Sequence, residues 1–200
     1  REPFSPLFGK LRNTKTMMEF QITQEYLGFS NHLAYHGTTW EECLDSDTYR
    51  DGPGSTVAQM VTAIAGVANT GQDPNFCGYV FAQDNWYAFG RLAWNPELNA
   101  ETIADEWIRQ TFLKPAGMTD KAFESKFIEP VRGILMASRE AVVNYEMPVG
   151  LHHLFGGTHY GPAPWDRLGR PDWTPAYYHQ ADSAGIGFDR PRSGSDNVDQ

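Results

Sequence analysis

A carboxylate at the end of a strand can act on a bound molecule, and this chain offers one. In MMEFQITQEYLG, Met17 to Gly28, Glu25 stands just past a run that reads as extended. Side chains of an extended run alternate between faces. Glu19, Gln21, Thr23 and Glu25 then share one face, and Met18, Phe20 and Ile22 the other. A polar face that closes on a carboxylate at the strand's carboxyl end suits the active-site rim of a barrel enzyme. A base there must reach a water in the cleft. Glu19 is the rival base; it would lie deeper, where paired buried carboxylates are common structural elements. Position favours Glu25, whose structural alternative is a rim carboxylate in a salt bridge.

Other chemistry-bearing residues are more ambiguous. Asn69 ends a second apolar run, Val61–Ala68, and could bond a ligand hydroxyl or cap a turn. His152 and His153 are adjacent in Gly-Leu-His-His, with His159 and His179 further on. Their spacing matches no zinc motif, so no metal is expected and loop hydrogen bonding is the default. Asp45 and Asp47 read as a helix cap or a turn. Arg167 and Arg170 read as surface or interdomain charges. Cys43 and Cys77 are too few and too far apart for a disulfide framework and read as buried free thiols.

The elements that must position these groups fall into two textures. In the first, Met17–Thr23 is a strand, and 32–44 includes a helix. Asp51-Gly-Pro-Gly54 is a turn, 61–68 a short buried strand, and 82–93 a helix with Trp86, Phe89, Leu92 and Ala93 at helical spacing. Asn95-Pro96 ends it. In the second, Asn99 looks like an N-cap, followed by an apolar stripe of Ile103, Ala104, Trp107, Ile108 and Phe112. A segment from Lys114 to Ser125 interrupts. A longer stripe follows through Phe127, Val131, Ile134, Leu135, Val142 and Tyr145, with Ser138 on the same face. From Pro148 the chain is loop-like. Strand–helix–strand–helix over residues 1–95 suits the last units of a (β/α)8 barrel, α/β in class. Residues 96–200 read as a mainly helical domain with long loops.

Composition narrows the function classes. A net charge of −9 argues against a nucleic-acid binder, which would show a basic patch. No apolar run approaches the roughly 18 residues of a membrane span. Aromatics make up 14% of the chain, enough for a filled core and for flat platforms against a sugar face.

A series of blocks then carries a resemblance. REPFSPLFG (1–9), MMEFQITQEYLG, LDSDTY (44–49), GPGSTVA (52–58), AGVANTG (65–71), FAQDNWYAFGRLAW (81–94), ADEWIRQTF (104–112), SREAVVNY (138–145), GLHH (150–153) and GIGFDR (185–190) stand in one order along nearly the whole chain. In that order they resemble the α-glucuronidases of glycoside hydrolase family 67. The resemblance implies removal of (4-O-methyl)glucuronic acid from xylan-derived oligosaccharides by an inverting pair of carboxylates, with no cofactor. Inverting enzymes hold that pair roughly 6.5–9.5 Å apart so that water fits between them. It implies a barrel followed by a helical C-terminal domain, and a homodimer. The family's acid, and an Asp on its base side, fall upstream of Arg1, so the chain reads as the C-terminal piece of a longer protein that opens mid-motif. The remaining family Glu maps to Glu25, as general base. The family also places an aromatic from the C-terminal region beside the xylose, here Trp165 or Trp173, and His152 is a further candidate for substrate contact. Such a substrate favours an extracellular or periplasmic setting. His36-Gly-Thr-Thr39 is more polar than the family pattern, and the 114–127 link is longer. The rival readings are a structural or dimerisation module without catalysis, and a carbohydrate-binding module.

Overall fold

The computed structural model describes residues 14–22, 34–50, 52–68, 72, 79–146 and 167. The chain forms two compact units, residues 1–25 with 33–139, and residues 26–32 with 140–200. Of the second unit, the described residues are the end of one helix and Arg167, which is exposed.

In the first unit, β1 (Met18–Gln21) and β2 (Ile64–Val67) pair in parallel, with Phe20 opposite Gly66. Parallel neighbours need a crossover. Here it contains α1 (Gly37–Leu44) and the single turn α2 (Val57–Met60). The expected alternation on β1 is present: Phe20 and Ile22 are buried, while Glu19 and Gln21 are exposed. The second strand lies within the run that suggested it, but it is not the buried strand expected. Ala65, Gly66 and Val67 are exposed, and β2 has one strand partner among the described residues.

After a 3₁₀ turn at Val80–Ala82, α3 (Gln83–Trp94) follows; of the residues read at helical spacing, Leu92 is buried and Phe89 packs against the core, but Trp86 does not join them. Asp84, Asn85, Ala88 and Leu92 point inward, whereas Trp86 is exposed. Reading outward from the large aromatics missed an inward stripe that begins with two polar residues. Helix α4 (Ala100–Thr111) begins as expected, with Asn99 Oδ1 accepting from the Thr102 N–H at 3.1 Å. A carboxylate from α1 adds to that cap: Glu41 accepts from the Ala100 N–H and from Asn99 Nδ2, each at 3.0 Å. Negative charge at a helix N-terminus is stabilising.

The interruption after α4 is shorter than expected. Thr119 caps a new helix, α5 (Asp120–Phe123), which runs through a π turn at Glu124–Ile128 into α6 (Glu129–Glu146). The Thr119 hydroxyl accepts from the Ala122 N–H, and Lys114 pairs with Asp120 across the restart. On α6, Leu135 and Ser138 are buried, but Ile134 is 60% exposed, so the inward stripe is narrower than the apolar pattern suggested.

These elements close on one core. Phe20 stacks on Trp40 with centroids 5.2 Å apart, and Phe89 meets Trp40 edge-on at 6.5 Å. Leu92, Ile103, Ile108, Ile128 and Leu135 are fully buried around them. Each such side chain contributes about 1.5–3 kcal/mol. The protein described is therefore mostly helical with a small parallel sheet. The (β/α)8 ending read from the sequence is represented among the described residues by one β–α–β–α unit; two strands do not close a barrel.

Candidate functional site

In open α/β arrangements ligands meet the chain beyond the carboxyl ends of the strands. For β1 and β2 that end is marked by Ile22, whose N–H donates to Val67 at 2.8 Å. The segment leaving β1 returns at Ala34, immediately before α1. Phe20, near the carboxyl end of β1, stacks on Trp40 in the first turn of α1. On β2, Gly66 admits Ile22 and Phe89: a Cβ there would sit 2.6 Å from Ile22 Cδ1 and 2.7 Å from Phe89 Cζ. Asn85 lies one turn before Phe89, at the start of α3.

Three consecutive residues at the entry to α1 are tied down from two other helices. Asn85 Oδ1 accepts from the His36 N–H at 2.7 Å, and Asn85 Nδ2 donates to the Ala34 carbonyl at 2.9 Å. Between them, the Tyr35 N–H donates to Ser138 Oγ at 2.7 Å, and that hydroxyl donates to the Leu135 carbonyl at 2.7 Å. The Tyr35 hydroxyl donates to the Ala100 carbonyl at 2.9 Å. Tyr35 and Ala34 are buried, as are Asn85 and Ser138. The aromatic ring leaves no room beside it: a Cβ on Gly37 would lie 2.4 Å from Tyr35 Cζ.

Beside this clamp sit two polar groups with no hydrogen-bond partner, Asp84 and Nε2 of His36. Asp84 is completely buried, and burial pushes its carboxyl well above the usual carboxylate range. The Asn85 N–H opposes this without closing a hydrogen bond. His36 is part-exposed as a residue, yet its Nε2 is sealed from solvent. Burial lowers its pKa from 6.5 to about 4, with the Arg139 charge adding to the drop. Burial also raises the Tyr35 phenol, with Asp84 contributing next. Burial thus disfavours the charged form of all three groups.

The residues singled out from the sequence fall differently. Glu25, Asn69, His152, His153, His159, Trp165, Arg170, Trp173, His179 and Cys77 lie outside the described residues. Glu19 is exposed on β1, not buried in the interior where its structural reading placed it. Cys43 is a buried free thiol, with burial and then Glu42 pushing its pKa up to about 11. Asp45 caps α1, and Asp47 forms the turn, accepting from the Tyr49 and Gly54 N–H groups at 2.7 Å each. Among the described residues no three His, Cys, Asp or Glu side chains come together as a metal site. Nor is any helix there long and apolar enough to cross a membrane. Asn85 and Asp84 were missed because they sit inside an aromatic-rich block whose apolar members drew the reading.

Comparison with known sequences decides the family. Residues 1–76 match the Glycosyl hydrolase family 67 middle domain, and residues 77–200 match the Glycosyl hydrolase family 67 C-terminus. The chain belongs to glycoside hydrolase family 67. It is 36% identical over 203 residues to "Alpha-glucuronidase A" of Emericella nidulans, covering 95% of this chain and 22% of that protein. It is 36% identical over 214 residues to "Probable alpha-glucuronidase A" of Aspergillus oryzae, covering all of this chain and 24% of that one. "Alpha-glucuronidase" of Hypocrea jecorina is 34% identical over 214 residues, with the same coverage. The chain therefore spans about a quarter of the length of these family 67 relatives.

Proposed function

We propose that this chain is the C-terminal portion of a family 67 α-glucuronidase that hydrolyses (4-O-methyl)glucuronic acid from xylo-oligosaccharides with inversion, in xylan degradation. Its first 95 residues complete the catalytic barrel and residues 96–200 form the helical C-terminal domain. Glu25 is the general base, activating water, while the general acid comes from the part of the enzyme that precedes Arg1. His152 and either Trp165 or Trp173 contact the substrate, an aromatic face covering the apolar face of the sugar. The reaction runs on carboxylates and needs no cofactor. The partners are glucuronoxylan-derived oligosaccharides and a second copy of the whole enzyme.

The observation that supports this most directly is the parallel β1–β2 pair. Glu25 follows Gln21, the last residue of β1, by four positions in the sequence, and α/β enzymes bind their ligands beyond the carboxyl ends of such strands. Family membership supplies the chemistry. The test is Glu25→Gln in the full-length enzyme, assayed for release of 4-O-methyl-glucuronic acid from aldouronic oligosaccharides, with the anomer followed by NMR. Hydrolysis is abolished, substrate binding is largely retained, and the wild-type product is the β-anomer. Near-native turnover by the variant refutes the assignment.

A further inference from the structure

We propose that the outer line of α3 binds the uncharged backbone of a polysaccharide, with Trp86 and Trp94 as its two platforms. The identity of that polysaccharide as xylan rests on the reading of the chain as part of an α-glucuronidase. Helix α3 buries Asn85, Ala88 and Leu92, and its exposed residues are Trp86, Gly90 and Trp94. These stand four apart, and residues at that spacing share one face of a helix. Trp94 is 86% exposed and Trp86 39%. Large aromatics gathered on one exposed face mark an interaction surface.

Gly90 stands between the two. Glycine inside a helix lowers stability relative to alanine. Packing does not require it here, because a Cβ on Gly90 would meet nothing within 4 Å. Its effect is to leave the helix bare between the indoles, so that a chain molecule can lie close. Eight residues of helix set the platforms about 12 Å apart along the axis, about the length of two to three pyranose rings. An indole covers the apolar face of such a ring, and its N–H donates to a hydroxyl.

Charge and area select a saccharide over a protein partner. The line carries no charge: Asp84 is buried on the opposite side, and Arg91 is paired with Glu106 at 2.9 Å. A xylose backbone is likewise uncharged. Two tryptophans bury at most about 500 Å², short of the roughly 800 Å² that each partner gives to a stable protein interface.

The experiment uses the full-length enzyme in native gels containing soluble arabinoxylan, a xylan backbone without the uronate. Trp94→Ala, Trp86→Ala and Gly90→Gln are compared with wild type, and turnover of a short aldouronic oligosaccharide is measured alongside. We expect Trp94→Ala to weaken retention by about threefold to tenfold, the scale of one stacking contact. Gly90→Gln fills the space between the platforms and weakens retention while its fold stays intact, since glutamine is the better helix former. For all three variants kcat/KM on the short substrate stays within about twofold of wild type. Should Trp94→Ala fail to fold, Gly90→Gln carries the test. Retention equal to wild type in Trp94→Ala and Gly90→Gln overturns the proposal. So does a change of oligomeric state in Trp94→Ala, which would make the face a subunit interface. Failure of the glucuronidase reading is seen separately, as a wild-type enzyme that is retained by the polysaccharide but releases no uronic acid.

Discussion

His36 and Asp84 make opposite demands on pH, and their separation can be worked out. The unfolded chain protonates His36 near 6.5, whereas in the fold its pKa is lowered to about 4 by burial. Between these values the unfolded state binds more protons, so stability present above pH 6.5 is lost as pH falls towards 4. The full drop corresponds to about 3 kcal/mol as an upper limit, reduced because the ring is part-exposed. Asp84 runs the other way. Its carboxyl is raised above the model-compound value of 3.8, so the fold keeps a proton that the unfolded chain releases. Stability present below about pH 4 is then lost as pH rises towards the folded pKa, by at most about 1.4 kcal/mol per pH unit.

Where both groups titrate, the two slopes oppose each other. Asp84→Asn removes one slope. Its gain over wild type is smallest near pH 4 and widens as pH rises. His36→Phe keeps the backbone N–H that Asn85 needs and a ring beside Trp40, and its gain is largest near pH 4. For a chain of this size 1 kcal/mol moves Tm by about 2–4 °C, so the His36 effect between pH 7 and 4 is up to about 10 °C. Thermal unfolding followed by circular dichroism from pH 4 to 8 measures all three proteins. Each variant is read as a difference from wild type, which cancels the remaining carboxylates. An Asp84→Asn curve parallel to wild type across the whole range refutes the reasoning, because it means that Asp84 ionises in the fold as it does in the open chain.

Four further outcomes follow from the packing. Gly66→Ala places a Cβ against Ile22 and Phe89 and lowers unfolding free energy by about 1–3 kcal/mol, measured by urea titration. Glu41→Ala removes the carboxylate that accepts from Ala100 and Asn99, lowering stability by about 0.5–2 kcal/mol in the same titration. Leu135→Ala opens a fully buried site and costs about 2–5 kcal/mol. By contrast, Trp86→Ala, at an exposed position, lowers stability by less than Leu135→Ala does in parallel melts.

Elements that carry their own boundary signals were legible in the sequence. The alternation in Met18–Ile22, the Asn99 cap and the Asp47 turn are local chemistry, readable without knowing the fold. What escaped depends on contacts far apart in the chain. Ser138 could be read as tolerating burial, but its partner is Tyr35, 103 residues away. Asn85 meets Ala34 and His36 about fifty residues upstream, and nothing in its own neighbourhood announces that. The polar start of the inward face of α3 was missed for a related reason, although Leu92 and Phe89 were in the stripe read from the sequence. Hydrophobic periodicity looks for apolar anchors, and here an acid and an amide occupy the first inward positions. The early restart at Thr119 was readable from the cap residue itself, but the Pro and Gly before it masked the signal.

The places where local rules are broken are themselves informative. An acid in the first turn of a helix ordinarily benefits from the helix dipole while staying in water. Asp84 has the first-turn position but lies fully buried without a hydrogen-bond partner, a state that lowers stability. An unpaired His36 nitrogen belongs to the same connection, and both flank the Asn85 clamp. Destabilising polar groups of this kind concentrate at functional sites, where the fold accepts a loss to hold a particular arrangement. The cluster stands where the connection from β1 enters α1 and α3 begins, not in the helical core formed by α4 and α6. An Asp84→Asn variant that gains stability as pH rises would show that the fold bears the cost of this buried acid, as its missing hydrogen-bond partner implies.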